Sequence, residues 1–267
     1  TLEPTSDNRL MFAQESFWWN QIGESSIGRG HFETNAHKGT RTGIDKFVLP
    51  SMQQWRVYHF HDTGETAHVK QKHGINDNEY LRPDGRNLAA FLYYLKRKHS
   101  NRYNRIVKTI QLAAPFFGDF FLRPSPENTE QIELEWNERE SDVPFKAHHL
   151  SDGTLRFMCL TTVLLQPEEK QPETILIDEP ELGLHPAAIT LLGALIRSVS
   201  KSKQVIVSTQ SVELLDEFDV EDVVVVNRNN GKSTFKRLDP EELKIGLEDY
   251  TLGELWKKKI FGGRPSR

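Results

Sequence analysis

The sequence predicts a mixed α/β protein organised around a parallel sheet. Two observations carry that expectation. The runs TILIDEP (174–180), QVIVSTQS (204–211) and DVVVVNR (222–228) are continuous apolar stretches that end in polar residues, as strands covered on both faces do. Helical patterns separate them: PAAITLLGALIRSVS (186–200) has Pro186 in its first turn and an apolar stripe of Leu191, Leu192, Leu195 and Ile196, and SVELLDEF (211–218) is a shorter helix.

The remaining elements follow in order. Residues 1–50 are aromatic and rich in Gly and Thr, with SFWWNQI (16–22) and DKFVLP (45–50) as strands. QQWRVYHFHD (53–62) is a further strand, and the polar stretch around 62–80 is loop. RPDGRNLAAFLYYLKRK (82–98) opens with turn chemistry and sets Leu88, Phe91, Leu92 and Leu95 on one helical face. A second helix over about 102–113 and a strand QIELEWNE (131–138) lead to TLRFMCLTTVLL (154–165), a helix whose Leu155, Met158, Leu160 and Leu164 belong to the core.

With 267 residues the chain can bury a substantial core. A net charge of -4 gives no global basic field, so nucleic acid would have to meet a local patch. One cysteine, Cys159, excludes a disulfide framework and fits a reducing compartment. With no bilayer-length apolar run and no signal peptide, a cytoplasmic location is expected.

Two stretches imitate a phosphate-binding loop. In VNRNNGKST (226–234) the first glycine of G-x-x-x-x-G-K-[ST] is Val226, and the strand-like FKRLDP follows where a helix is required; Asn229-Asn230-Gly231 is a hairpin turn. In GESSIGRG (23–30) arginine and glycine replace the lysine and the magnesium-binding hydroxyl. Neither is a phosphate cradle.

The chemistry lies elsewhere. Asp178 and Glu179 close a buried strand, where parallel sheets bind ligands; an aspartate there is suited to Mg²⁺ and an adjacent glutamate to polarising water. The bland alternative is an acidic strand-to-helix loop. Upstream, LSDGT (150–154) opens a helix with Ser151 as N-cap, and the free N–H groups beside Gly153 suit an anion. Downstream, Ser208, Thr209 and Gln210 end a strand on the same side.

In this order the elements resemble the head of an ABC-type ATPase, a P-loop NTPase fold: LSDGT the signature motif, ILIDEPE Walker B, LGLHP the D-loop and STQS the switch loop. The match is nearest to the RecF/SMC-like ATPases that include OLD-like and anti-phage defence proteins. DG-x-NLA (84–89) and LGELW (252–256) recur there as well, so the resemblance spans about 55–262. It implies a mostly parallel sheet with an antiparallel part and a helical insertion. The expected divisions are a β-rich remainder over 1–79, an insertion over 80–125, the signature-to-switch portion over 126–245 and a tail over 246–267.

The resemblance further implies ATP and Mg²⁺ as cofactors, with Asp178 assisting the metal and Glu179 as general base. Ser151, Asp152, Gly153 and Thr154 would meet the γ-phosphate of ATP held by a partner head. Gln210 occupies the usual place of the switch histidine; an amide donates a hydrogen bond but carries no proton charge, so slow hydrolysis is expected. Asp152 adds negative charge at the signature tip. The family carries its Walker A loop ahead of the matched region, so the chain is expected to be the C-terminal portion of a head and to bind ATP weakly by itself. Expected partners are a second head, in a homodimer or higher oligomer, and a separate nuclease or toxin effector.

Other readings stay open. His185 is either a contact across the head dimer or a helix cap. His59 and His61 share one face of a strand, which suits either a metal or, preferably, a partly buried strand face. Lys96, Arg97, Lys98, Arg102, Arg105 and Lys108, with Tyr103 among them, suit nucleic-acid phosphates or a solvated helical face, the latter preferred. A non-hydrolysing sensor or scaffold rivals the ATPase, and a metal nuclease on Asp178, Glu179 and Glu181 would need further acidic ligands.

Overall fold

The computed structural model describes residues 1–19, 23–36, 48–229 and 232–262, and the chain divides into two compact units, Thr1–Trp55 and Arg56–Arg267. The first unit holds two antiparallel pairs, β1 (Leu2–Pro4) with β2 (Leu10–Phe12) and β3 (Glu15–Trp19) with β4 (Gly23–Gly28). The Glu15 carboxylate ties this unit together by accepting from the Thr34 hydroxyl and the Asn35 N–H. GESSIG is strand β4, which removes it as a phosphate loop. Of the expected strand DKFVLP, residues 45–47 lie outside the described residues, and Leu49 and Pro50 instead open the short helix α1 (Leu49–Gln53), with proline in its first turn.

The second unit is built on three parallel strands in the order β12-β11-β5. β5 (Arg56–Tyr58) lies on one side of the central strand β11 (Thr174–Asp178) and β12 (Gln204–Ser208) on the other. Between β5 and β11 the chain forms β6 (His73–Gly74), α2 (Leu88–Lys98), α3 (Ser100–Ala113), β7 (Phe117–Phe120), β8 (Gln131–Ile132), β9 (Glu135–Glu138), β10 (Pro144–Lys146) and α4 (Asp152–Leu165). The expected strand 131–138 is thus two strands in different sheets: β8 pairs with β6, while β9 lies between β10 and β7. After β11 comes α5 (Pro186–Val199), and after β12 come α6 (Val212–Leu215), β13 (Val224–Asn229), β14 (Lys232–Arg237), α7 (Pro240–Asp249) and α8 (Leu252–Lys257).

Helix α4 is the centre of the core. Every residue from Leu155 to Leu165 is buried, and α3 and α5 pack against it. A helix buried all round has no solvent face, so interior packing and the internal bonds of its few polar residues, Arg156 among them, stabilise it. The α2 stripe Leu88, Phe91, Leu92 and Leu95 is buried as its period requires, as are Leu192, Leu195 and Ile196 of α5.

Two expectations about the sheet are corrected. DVVVVNR is not a parallel strand: β13 pairs antiparallel with β14, from Val224↔Arg237 to Asn229↔Lys232. The third parallel strand is β5. Lys232, Ser233 and Thr234 lie in β14, so GKST belongs to a hairpin whose turn residues 230–231 are outside the described residues. Nor do the described residues of this unit cover the sheet on both faces. Ile175, Ile177 and Tyr58 point into the core, whereas Val57 and Ile206, which share a row with Leu176, remain 42% and 46% exposed. Apolar character along these strands therefore overstated their burial.

A smaller core of Val220, Val225, Leu238, Leu243 and Leu252 joins the β13–β14 hairpin to α7 and α8. The LGELW segment forms α8, opened by a capping box in which Thr251 and Glu254 exchange hydrogen bonds. Gly253 lies against Val212 of α6, and its N–H donates to Asp216 Oδ1 at 2.6 Å. The tail thereby braces the helix that follows the switch loop.

Candidate nucleotide site

The carboxyl ends of β11 and β12 are stitched together residue by residue. The Ser208 hydroxyl donates to Asp178 Oδ1, and the Glu179 N–H donates to Ser208 O at 2.9 Å. Gln210 Nε2 donates to Glu179 Oε1 at 2.9 Å. The Thr209 hydroxyl and the Gln210 N–H both reach Glu181 Oε1, at 2.6 and 3.4 Å. Glu179 adopts φ +40, a left-handed conformation that costs a non-glycine residue about 1–3 kcal/mol and marks functional turns. This strained turn swings the Glu179 side chain out of the strand direction towards Gln210.

Two histidines complete this end of the sheet. His61 Nε2 is 3.0 Å from the Asp178 carbonyl oxygen, and His59 Nδ1 lies 3.8 Å from Asp178 Oδ2. Both follow the end of β5 and are exposed, with buried Phe60 between them, so the partly buried strand face expected for them is not found.

The signature segment LSDGT forms the tip of α4. Ser151 is the N-cap and its hydroxyl accepts from the Thr154 N–H at 3.2 Å, which leaves the N–H groups of Asp152 and Gly153 as the open donors of the first turn. Asp152 lies 3.9 Å from Lys70 Nζ, a lysine whose side chain is only 6% exposed, so its charge meets a nearby cation. Gly153 abuts the carbonyl of Gly183 in the turn after Walker B, and Gly183 itself has φ +77, which a side chain would strain. His185 caps α5: its Nδ1 accepts from the Ala187 N–H at 3.3 Å.

Arg156 binds these parts into one body. Its buried guanidinium donates to the carbonyls of Phe60 at 2.8 Å, His61 at 3.3 Å and Leu182. Loss of solvent lowers its pKa below the ordinary arginine value. One side chain thus clamps the signature helix, the β5 loop and the D-loop turn. Ser151 connects to Asp178 through this route: α4 to Arg156, to His61, to Asp178.

Sequence reasoning missed Arg156 and Lys70, and it set Glu181 aside with the nuclease reading; Ser208 and Thr209, read as polar groups on the same side, do reach Asp178 and Glu181. A charged residue at a core-facing position within the apolar run 154–165 was the available signal for Arg156. Nothing in the spacing marked Lys70, whose partner Asp152 is distant along the chain. Among the described residues no group of three or more His, Cys, Asp or Glu side chains is arranged to hold a metal ion by itself. Asp178, with an oxygen accepting from a serine hydroxyl, instead suits a hard cation whose other ligands are water and phosphate.

A sheet with an acidic pair at its carboxyl edge, beside a capped glycine helix tip, defines the class: a P-loop NTPase fold of the ABC ATPase-head type. The chain belongs to the family described as "AAA domain, putative AbiEii toxin, Type IV TA system", whose model matches residues 13–216. Among solved structures it is similar to an SMC head bound to the C-winged helix domain of ScpA, at 17% identity, covering 91% of this chain and 68% of that one with a TM-score of 0.51. It also matches the SMC head domain from Thermotoga maritima at 12% identity, over 89% and 72% of the two chains, with a TM-score of 0.41. A nucleotide-free ATP-binding cassette from an ABC transporter matches at 16% identity, over 78% and 70%, with a TM-score of 0.39. The likeness in fold rests on the first of these. No curated protein matches the chain in sequence. No helix among the described residues is long and apolar enough to cross a membrane.

Proposed function

We propose that this chain is an ATP-hydrolysing head that closes with a second head around nucleotide. The observation that carries the reading is the bond from Gln210 Nε2 to Glu179 Oε1, which brings a switch-loop donor and a carboxylate base together at the sheet edge. ATP supplies the phosphoanhydride; Asp178 would hold Mg²⁺, which would supply charge neutralisation at the phosphates. Glu179 accepts the proton of the water whose oxygen attacks the γ-phosphorus, as the bond from that phosphorus to the β–γ bridging oxygen breaks. Gln210 turns its amide from Glu179 to the γ-phosphate. Ser151, Asp152, Gly153 and Thr154 present the helix tip to nucleotide held by the partner head, with His185 beside that interface.

Residues 1–267 contain no G-x-x-x-x-G-K-[ST] loop. On this reading they supply the closing face and the acid–base end, while the phosphate-wrapping loop comes from elsewhere in the assembled protein. Cytoplasmic anti-phage defence or DNA maintenance with a separate nuclease or toxin effector is the setting we infer from the family resemblance. Gln210 favours a second reading, a sensor that binds nucleotide and restrains a partner with negligible turnover, because its amide carries no proton charge. Phosphate release by the full-length protein, compared with Glu179→Gln, separates the two.

A further inference from the structure

Outside the site, the solvent side of α2 and α3 carries a segregated positive charge. α3 has no Asp or Glu, and its exposed positions include Asn101, Arg102, Asn104, Arg105 and Lys108, while Tyr103, Ile106, Val107 and Ile110 fix the opposite side in the core. The Asp119 carboxylate on the neighbouring β7 is engaged by Lys96 at 3.0 Å and by the Tyr103 hydroxyl at 2.5 Å. Lys98, Arg102, Arg105 and Lys108 have no carboxylate partner among the described residues. In a chain of net charge -4, α3 thus offers exposed cations with no carboxylate of its own, a local surface open to anions.

A cleft of about 260 Å³ at the end of α2 includes one of these cations, Lys98, and is otherwise lined by Ile75, Asn76, Asn78, Tyr93, Tyr94 and Arg97. The Arg97 guanidinium lies over the Tyr93 ring, 5.3 Å from its centroid, so the cleft offers a planar cation–aromatic pair beside two amides. We propose that this face binds single-stranded nucleic acid. Phosphates follow Lys98, Arg102, Arg105 and Lys108, and one unpaired base enters the cleft against Tyr93 and Arg97. Cations alone would serve a duplex. The aromatic and amide walls add partners for a base face and a base edge, which a duplex keeps stacked and paired. An acidic protein partner fits less well, because such interfaces have an apolar centre and Leu112 is the one large exposed apolar side chain on α2 or α3 among the described residues.

The test is fluorescence anisotropy of this chain with a labelled oligothymidylate of about 15 nucleotides and a duplex of equal length, between about 0.05 and 0.2 M salt. The single strand should bind with an affinity that falls as salt rises. Arg102→Gln/Arg105→Gln/Lys108→Gln should weaken it at least about tenfold and reduce the log–log salt slope by about two, near 0.7 for each lost phosphate contact. Tyr93→Ala should weaken the single strand about tenfold with the slope kept and leave duplex binding unchanged. If Tyr93→Ala does not fold, Arg97→Gln, which removes the plane over that ring, is read by the same criteria. The proposal is overturned by no binding at low salt, by unchanged affinity in the triple variant, or by a duplex that binds as tightly with Tyr93→Ala silent. Equally effective displacement by polyglutamate also overturns it. Turnover plays no part in these measurements, so they stand apart from the ATPase reading.

Discussion

Gly153, in the first turn of the signature helix, lies against Gly183 in the turn after Walker B so closely that a methyl group on Gly153 would overlap the Gly183 carbonyl oxygen. The two segments that, on the proposed function, face a partner head are therefore in mutual contact within one chain. Gly153→Ala must push the D-loop turn away, at a cost of about 1–3 kcal/mol for overpacking. Gly183→Ala should cost about 1 kcal/mol more than a typical surface substitution because of its positive φ. Thermal unfolding checks both, and each variant should also weaken ATP-driven association of the full-length protein.

Arg156→Lys keeps the charge and loses the fork that reaches three carbonyls. Hydrogen bonds from a charged donor are each worth about 1.5–3 kcal/mol, and lysine places one ammonium where three separated acceptors wait. Urea unfolding should show a loss of about 2–3 kcal/mol. Arg197→Lys, on the partly exposed pair with Glu217, should change stability by under about 0.5 kcal/mol in the same assay.

Gln210→Ala removes the donor that contacts Glu179 while leaving the Gln210 N–H bond to Glu181 in place. In the full-length protein kcat should fall about tenfold with KM for ATP within about twofold, the split expected when an interaction belongs to the transition state. Gln210→His restores a donor and should recover most of the rate. A change confined to KM would place Gln210 in ground-state binding instead.

Stability should decline in alkali. Burial pushes the Tyr58 hydroxyl up to about 12 from an ordinary 10.0, and the Cys159 thiol up to about 12 from 9.0. A raised folded-state pKa means that the folded chain holds the proton more tightly. The resulting stability is complete below the unfolded values and is lost as pH rises through about 9 to 12. Denaturant titrations across that range should show the decline, and Tyr58→Phe should flatten part of it. Cys159 should resist alkylation at pH 8 until the chain unfolds.

Much of this arrangement was legible in the sequence because its chemistry is local. The Ser151 cap and the Asp178–Glu179 strand end each depend on residues a few positions apart, whereas for His185 the sequence left the cap and a dimer contact both open. The hairpin in place of a phosphate loop followed from turn chemistry on either side of Asn229. What sequence could not give depends on distant pairing. The third parallel strand is β5 and not β13, and only tertiary pairing decides between two apolar runs. Arg156 reaches Phe60 and Leu182, and Lys70 reaches Asp152, across separations that no periodicity encodes. Exposure of Ile206 shows the same limit, because an apolar run reports preference for burial rather than the presence of a cover.

Glu179 provides the most direct test of the account. In the full-length protein, wild type should release phosphate from ATP and dissociate as it does so. Glu179→Gln should bind ATP equally well, reduce release by at least about a hundredfold, and accumulate as the closed two-head complex in sedimentation. Equal rates of phosphate release from the two proteins would contradict the assignment of Glu179 as the base, and with it the reading of this sheet edge as a hydrolytic site.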